Sequence, residues 1–302
     1  MIKKGKFDWY SPDKGMSPEA GSLFNRVPGM KELPHIPTYV MELQTLMQDT
    51  NVTSKQLALV VKKEPMIAGN LLSIANNLKA ASGTKIESVE HAITYVGFKT
   101  LSDVILTASV SSFKFQCKLF KSDNFWRESF LTGMVAEFLA RRYNPGLVPD
   151  EVYLAGTLAN VGKVVQAICL PAETDIIATE IENPKNPKSW VAAEIDHKTY
   201  DHGILGEIAA GFWGLPAYVV EVAGTHHIPE STTPKGAPAD LTEIVRLANQ
   251  LSHWLLFQPS RMQKAVYDRS LERFGLTEAS IEKMVDELMG LKASAEAMTL
   301  AS

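Results

Sequence analysis

The chain of 302 residues is 45% hydrophobic and 21% charged, with a mean hydropathy of −0.04. That composition excludes a disordered, collagen-like or disulfide-scaffold protein, and the length suggests roughly two domains of about 150 residues. With 30 Lys and Arg against 34 Asp and Glu, the formal charge is −4, which gives no bulk electrostatic drive toward nucleic acid or an anionic membrane.

Cys117 and Cys169 are the two cysteines, in no metal-type spacing, as expected of a chain from a reducing compartment. Met1 to Lys6 is charged but is followed by no apolar stretch, so it does not read as a signal peptide. No run of about 18 apolar residues suggests a membrane span. The expected location is the cytoplasm.

Gly5, Pro12, Gly15, Pro18, Gly21, Pro28 and Gly29 punctuate residues 1–29 too densely for a helix. Phe7, Trp9, Tyr10, Leu23 and Phe24 leave two readings, a docking arm or a mobile tail. Helical patterning begins after Leu33. Thr38 to Met47 carries an apolar stripe, and Thr53 with Gln56 forms a capping-box signal for a helix from Ser54 to Lys63. Pro65 opens a helix to Asn77, and Ser88 to Val96 is a short helix ended by Gly97. Leu101 to Phe113 is helical in period, though its Val, Ile and Thr content also suits a strand. Asp123 to Tyr143 and Pro149 to Leu170 are the long amphipathic segments, followed by a loop-rich stretch with Pro184 and Pro187. Short helices are expected over Ser189 to His197, Gly203 to Phe212 and Ala217 to Thr225. A polar loop, Pro229 to Pro238, leads to helices over Leu241 to Phe257 and Glu278 to Met298. The expected fold is all-α. Trp126, Trp213 and Trp254 read as core anchors.

No Gly-rich phosphate loop, nucleophile elbow or His-Glu-x-x-His helix is present. Cys169 lies in an apolar run and reads as a core residue. The histidines are more informative: His226 and His227 form a doublet at a helix end, and His202 follows Asp201 before an apolar helix. Imidazoles from several helices can gather around a metal. The plainer reading has His202 pairing locally and the doublet bonding the carbonyls of its own helix end.

The order of short motifs adds context. Leu33-Pro34-His35-Ile36-Pro37 is followed by Glu64-Pro65, Leu71-Leu72-Ser73-Ile74-Ala75-Asn76-Asn77 and Ala92-Ile93-Thr94-Tyr95-Val96-Gly97. Then come Phe125-Trp126-Arg127-Glu128-Ser129, Ala155-Gly156-Thr157-Leu158-Ala159-Asn160-Val161-Gly162-Lys163, His202-Gly203-Ile204-Leu205-Gly206, Trp213-Gly214-Leu215-Pro216 and His226-His227. This succession resembles the HDOD family, the HD-related output domain of bacterial signalling proteins, over about Met30 to Ile228. The resemblance implies an N-terminal helical part over 30–118, an HD-like part over 119–228 and a C-terminal helical extension over 229–302. A ligand is expected in the cleft between the two halves.

HD phosphohydrolases and related cyclic-dinucleotide phosphodiesterases hold metal with an early histidine, a His-Asp doublet, later histidines and a final aspartate. Carried over by position, these fall on Glu128, on Ala159-Asn160, on His202 and His226 or His227, and on Asn249. Ala159 has no donor, and the two asparagines offer neutral oxygens where a dication wants carboxylates. The resemblance therefore implies no catalytic residue, no cofactor and no firmly held metal, with a weak single site at Glu128, His202 and His226 or His227 as the remaining option. Lys163, one turn from Asn160, faces the same remnant pocket, paired with a carboxylate or contacting an anion.

The function expected is a non-catalytic regulatory module that binds a signalling protein, whose identity is not readable, or a small anionic ligand. A metal-dependent phosphohydrolase acting on a nucleotide or cyclic dinucleotide is the alternative. Direct nucleic-acid binding is disfavoured by the charge of −4.

Overall fold

The structure is a computed structural model that describes residues 25–30, 33–47, 49–79, 85–182, 188–227, 237–257 and 264–300. Most of the arm (residues 1–24) and residues 229–236 of the polar loop lie outside them. The described residues form an all-helical chain, with no strand among them. By contact they divide into a smaller unit, Pro34–Phe113 with Met298–Ser302, and a larger one, Met1–Leu33 with Lys114–Ala297.

The smaller unit holds α1 (Thr38–Met47), α2 (Ser54–Val61), α3 (Pro65–Lys79) and α4 (Val89–Ser111). Thr53 and Gln56 close the capping box of α2. Their reciprocal bonds satisfy two orphan donors at the helix start. Leu57, Val60 and Val61 are buried on one face of α2, which packs on α1 and α4, where Val40, Leu43, Ile93 and Leu101 are buried too. Asn76 pins the segment before α4: its Nδ2 donates to Leu72 O and Ile86 O, and its Oδ1 accepts from Ile86 N, at 2.7–2.9 Å. Gly97 breaks α4 with φ 85° and ψ 167°, so the two expected helices are joined across a kink. Such a conformation is open essentially to glycine alone. The segment that also suited a strand is helical because Leu101, Val104, Ile105 and Val110 bury at helical spacing.

The larger unit holds α5 (Ser122–Tyr143), α6 (Pro149–Leu158), α7 (Val161–Cys169), α8 (Pro171–Glu182), α9 (Trp190–His197), α10 (His202–Phe212), α11 (Ala217–Thr225) and α12 (Ala237–Leu256). Then come α13 (Lys264–Arg273), α14 (Glu278–Glu282) and α15 (Val285–Leu300). Helix α5 packs on α6 and α12, and α10 packs on α7 and α11. Glycines sit at two tight crossings. A Cβ on Gly156 would stand 2.9 Å from Gly133 Cα, and one on Gly162 would run into the carbonyl of His202.

Several expected boundaries move. The single helix over Pro149 to Leu170 is two, α6 and α7, separated at Ala159-Asn160. No Gly or Pro marks that break, so periodicity alone ran through it. The stretch after Leu170 is helical in α8, whose buried stripe of Thr174, Ile177 and Ala178 is narrow. Helix α13 was missed, and the last expected helix is split into α14 and α15. Residues Pro149–Cys169 are long and apolar enough to cross a membrane, against the sequence expectation, but 83% of that window is buried inside the unit. Trp126 and Trp213 are buried, and Trp254 is half-buried.

Candidate functional site

The break between α6 and α7 gives the site its centre. Asn160 stands as the N-cap of α7 without a side-chain capping bond. Its Nδ2 instead donates to Asn249 Oδ1 on α12 at 3.1 Å, and both residues are buried. Because Gly162 lets α7 lie against the start of α10, His202 is brought beside this helix end.

His202 is set by the α9–α10 connection. Asp201 caps α10 by accepting from Gly203 N (2.6 Å) and Ile204 N (3.2 Å). Lys198, in the left-handed region at φ 50°, turns the chain back after α9. Glu194 of α9 then reaches the fully buried His202: its Oε1 accepts from His202 N at 3.0 Å and lies 2.9 Å from Nδ1. Gln166 Nε2 donates to the same oxygen at 2.5 Å and to Tyr200 O at 2.7 Å, and Trp190 Nε1 donates to Gln166 Oε1 at 3.0 Å. Burial works to raise the Glu194 carboxyl pKa, but the His202 ring and these donors outweigh it and hold it below the usual range. A carboxylate only accepts, so Nδ1 of His202 bears a hydrogen, and Nε2 lies at the far edge of the ring, toward His227.

His226 is fixed in the same sense. Its Nδ1 donates to Val222 O (3.1 Å) and Ala223 O (2.9 Å), leaving Nε2 as a lone pair that is buried with no hydrogen-bond partner among the described residues. The plainer sequence reading, a doublet bonding its own helix end, thus describes one edge of this ring. Arg246 of α12 holds the backbone there, donating to His226 O (2.9 Å) and Thr225 O (2.6 Å) while paired with Glu243. His227 Nε2 lies 3.0 Å from His202 Nε2. Burial first, and then neighbouring positive charge including Lys163, pushes both His226 and His227 well below the usual imidazole range, so they stand neutral.

The ligand atoms of His202, His226 and His227 all lie within 4.8 Å of one another. For comparison, nitrogens about 2.0–2.1 Å from a tetrahedral zinc stand roughly 3.3 Å apart. Two other buried acceptors, Asn160 Oδ1 and Glu194 Oε2, also have no hydrogen-bond partner among the described residues. The residues therefore fit one dication held by imidazole nitrogens, with Glu194 and the α11 carbonyls orienting the rings from behind. They do not fit a carboxylate-bridged pair of ions, since Ala159 carries no donor and Asn160 and Asn249 spend an amide bond on each other.

Glu128, expected with His202 and His226 in a weak metal site, is not in that triplet. Its carboxylate lies 3.4 Å from His253 Nε2, and His227 takes the third place. His253 was not singled out in the sequence, although it lies one turn beyond Asn249 on α12. Glu128, Lys163, His227, Asn249 and His253 share the lining of one cavity of about 90 Å³. Lys163 is 4% exposed, with its ammonium 5.0 Å from the centre of the Trp190 ring. A ligand cleft was expected between the two halves of the chain, but this cavity is lined from the larger unit alone.

The comparisons with known proteins agree with this frame. A family model described as the HDOD domain matches residues 33–229. An uncharacterized protein of Treponema pallidum (strain Nichols) is 23% identical over 208 residues, 69% of this chain but only 39% of that protein. An HDOD domain protein with unknown function from Geobacter sulfurreducens, 21% identical, superposes with a TM-score of 0.71 over 92% of this chain and 96% of its own. A protein from Shewanella amazonensis SB2B, provisionally named a phosphohydrolase, is 20% identical with a TM-score of 0.64, covering 90% and 95% of the two chains. At these identities the two solved structures establish likeness of fold.

Proposed function

Because the chain belongs to the HDOD domain family, we propose that it is a non-catalytic signal-transduction module, working through contacts with a protein partner or a small anionic ligand. The observation that carries this reading is the buried amide pair. Asn160 and Asn249 bond each other and are buried, beside a donorless Ala159, at the positions onto which the family resemblance carries the anionic metal ligands of related hydrolases. Hydrolysis of a phosphodiester in that manner needs a metal-bound water acidified toward neutrality, held by charged oxygen donors. Here the nearest carboxylate to the imidazoles, Glu194, is turned to the Nδ1 side of His202. A dication on the three imidazoles would supply Lewis acidity. The side chains themselves orient the rings and keep two of them neutral.

The converging imidazoles favour a second reading, a metal-dependent phosphohydrolase acting on a nucleotide or cyclic dinucleotide. The test is turnover of bis-p-nitrophenyl phosphate and of a cyclic dinucleotide with added Mn²⁺ or Fe²⁺. We expect the wild-type protein and a His202→Ala variant to be indistinguishable from buffer. Turnover that disappears in the variant would establish the hydrolase.

A further inference from the structure

On entering the larger unit the chain runs from Lys114 to Lys121 without forming a helix. Its burial alternates with the period of a strand: Phe115 and Cys117 are half-buried, while Lys114, Gln116 and Lys118 are exposed. The inner side is fastened to the unit. Phe115 meets Phe120 with ring centres 5.5 Å apart, and Phe120 stands edge-on to Trp190 at 5.2 Å. Cys117 Sγ lies 3.6 Å from Ala167 O and 3.7 Å from Pro171 O. Just beyond, the N–H groups of Lys118, Leu119 and Phe120 all donate to the Asp175 carboxylate.

The main chain of this segment is left open. Among the described residues, the peptide groups of Lys114, Phe115, Gln116 and Cys117 take part in no hydrogen bond. A row of unpaired N–H and C=O groups is a template for another strand. Four such residues, at about 3.3 Å each, are enough to pair with a short added strand. Charge narrows the choice of that strand. Lys114, Lys118 and Lys121 are the only charged residues of 112–122, in a chain whose net charge is −4. Lys118 lies in the field of Asp175, whereas exposed Lys114 and Lys121 form no ion pair among the described residues. Burial first, and then Asp175, pushes the Cys117 thiol up to about 12, so it adds no negative charge. Leu119, 42% exposed, supplies an apolar contact beside the lysines.

We propose that the segment from Lys114 to Lys121 is a docking strand for an extended acidic segment of a partner protein. The partner pairs with it main chain to main chain and sets its carboxylates against Lys114 and Lys121. In strand addition of this kind the main-chain bonds give affinity and the side chains give specificity. The inference rests on the non-catalytic reading above and gives its protein partner a chemistry. A second copy of this chain fits poorly, since pairing the segment with itself would bring like charges together. Residues 1–24 of this chain carry four lysines against three acids, so they do not supply the acidic segment. Single-stranded nucleic acid stacks its bases on open aromatic faces, but Phe115 and Phe120 turn theirs toward each other on the inner side.

The probe is a fluorescein-labelled octapeptide that alternates aspartate and valine, titrated with the full chain by fluorescence anisotropy. We expect saturable 1:1 binding that weakens as salt rises. A variant carrying both Lys114→Glu and Lys121→Glu should bind it about tenfold more weakly. Both side chains are exposed, so the fold should survive, and the paired Lys114→Arg and Lys121→Arg variant should bind like wild type. The same octapeptide N-methylated at every residue keeps its charge but offers no N–H to the strand, and should also lose about tenfold or more. An oligothymidylate of equal charge should not compete. Absence of saturable binding, equal binding of the N-methylated peptide, or unchanged affinity in the glutamate variant overturns the proposal. So does tighter binding of the oligothymidylate, or a dimer of the chain that the glutamate variant dissociates. Phosphodiester turnover would overturn the non-catalytic reading instead, leaving peptide docking as its own result.

Discussion

At Gly162 the chain has no room for a side chain. Any Cβ meets the His202 carbonyl, which belongs to backbone and cannot swing away. Gly162→Ala must therefore push α7 and α10 apart, and overpacking of this kind costs about 1–3 kcal/mol. The denaturation midpoint should fall accordingly. Asp175 makes a second case. Its carboxylate accepts from the backbone N–H groups of Lys118, Leu119 and Phe120 at 2.8, 2.7 and 3.3 Å. Burial works to raise its pKa, and these three bonds together hold it below the usual aspartate value. A carboxyl depressed in the folded state contributes stability above its unfolded pKa of about 3.9, and loses it as pH falls through the lower folded value. The stability gap between wild type and Asp175→Asn should thus be present at pH 6 and shrink as pH drops below 4. A gap that widens on acidification would contradict this account.

The element scale shows where sequence reading succeeded and where it stopped. Capping signals with local chemistry were legible. Thr53 with Gln56 starts α2 as expected, and Thr53→Ala should destabilise the smaller unit by about 1 kcal/mol in urea unfolding. Gly97 ending the first half of α4 belongs to the same class, whereas Asp201 was not read as the cap of α10 that it is. The break at Ala159-Asn160 was not read, because its one local signal, Asn160 as N-cap, lies inside an apolar run that keeps helical periodicity, and α7 turns to lie on α10 where Gly162 allows. The site suffered in the same way. The family resemblance singled out Lys163, His202, His226, His227, Asn160 and Asn249, and the structure brings the three histidines together and joins the two asparagines. The resemblance could not show that Glu128 faces His253, that Glu194 stands behind His202, or that Trp190 flanks Lys163. Those pairings join residues 125, 8 and 27 positions apart in the chain, across separate helices.

For the molecule as a whole, the account turns on the kind of metal chemistry the larger unit permits. Three imidazole nitrogens converge, with the outer edge of His202 fixed by Glu194 and that of His226 by the α11 carbonyls. Beside them stand Ala159, which has no donor, and Asn160 and Asn249, two neutral amides that bond each other. Neutral imidazoles can hold one borderline-soft ion such as zinc, but supply no charge to bridge a second. The most direct measurement is the metal content of the purified chain after dialysis against Zn²⁺, Mn²⁺ or Fe²⁺ and then metal-free buffer. We predict at most one ion per chain, zinc favoured over manganese, and its loss in His226→Ala. Two ions per chain that survive dialysis would contradict the account.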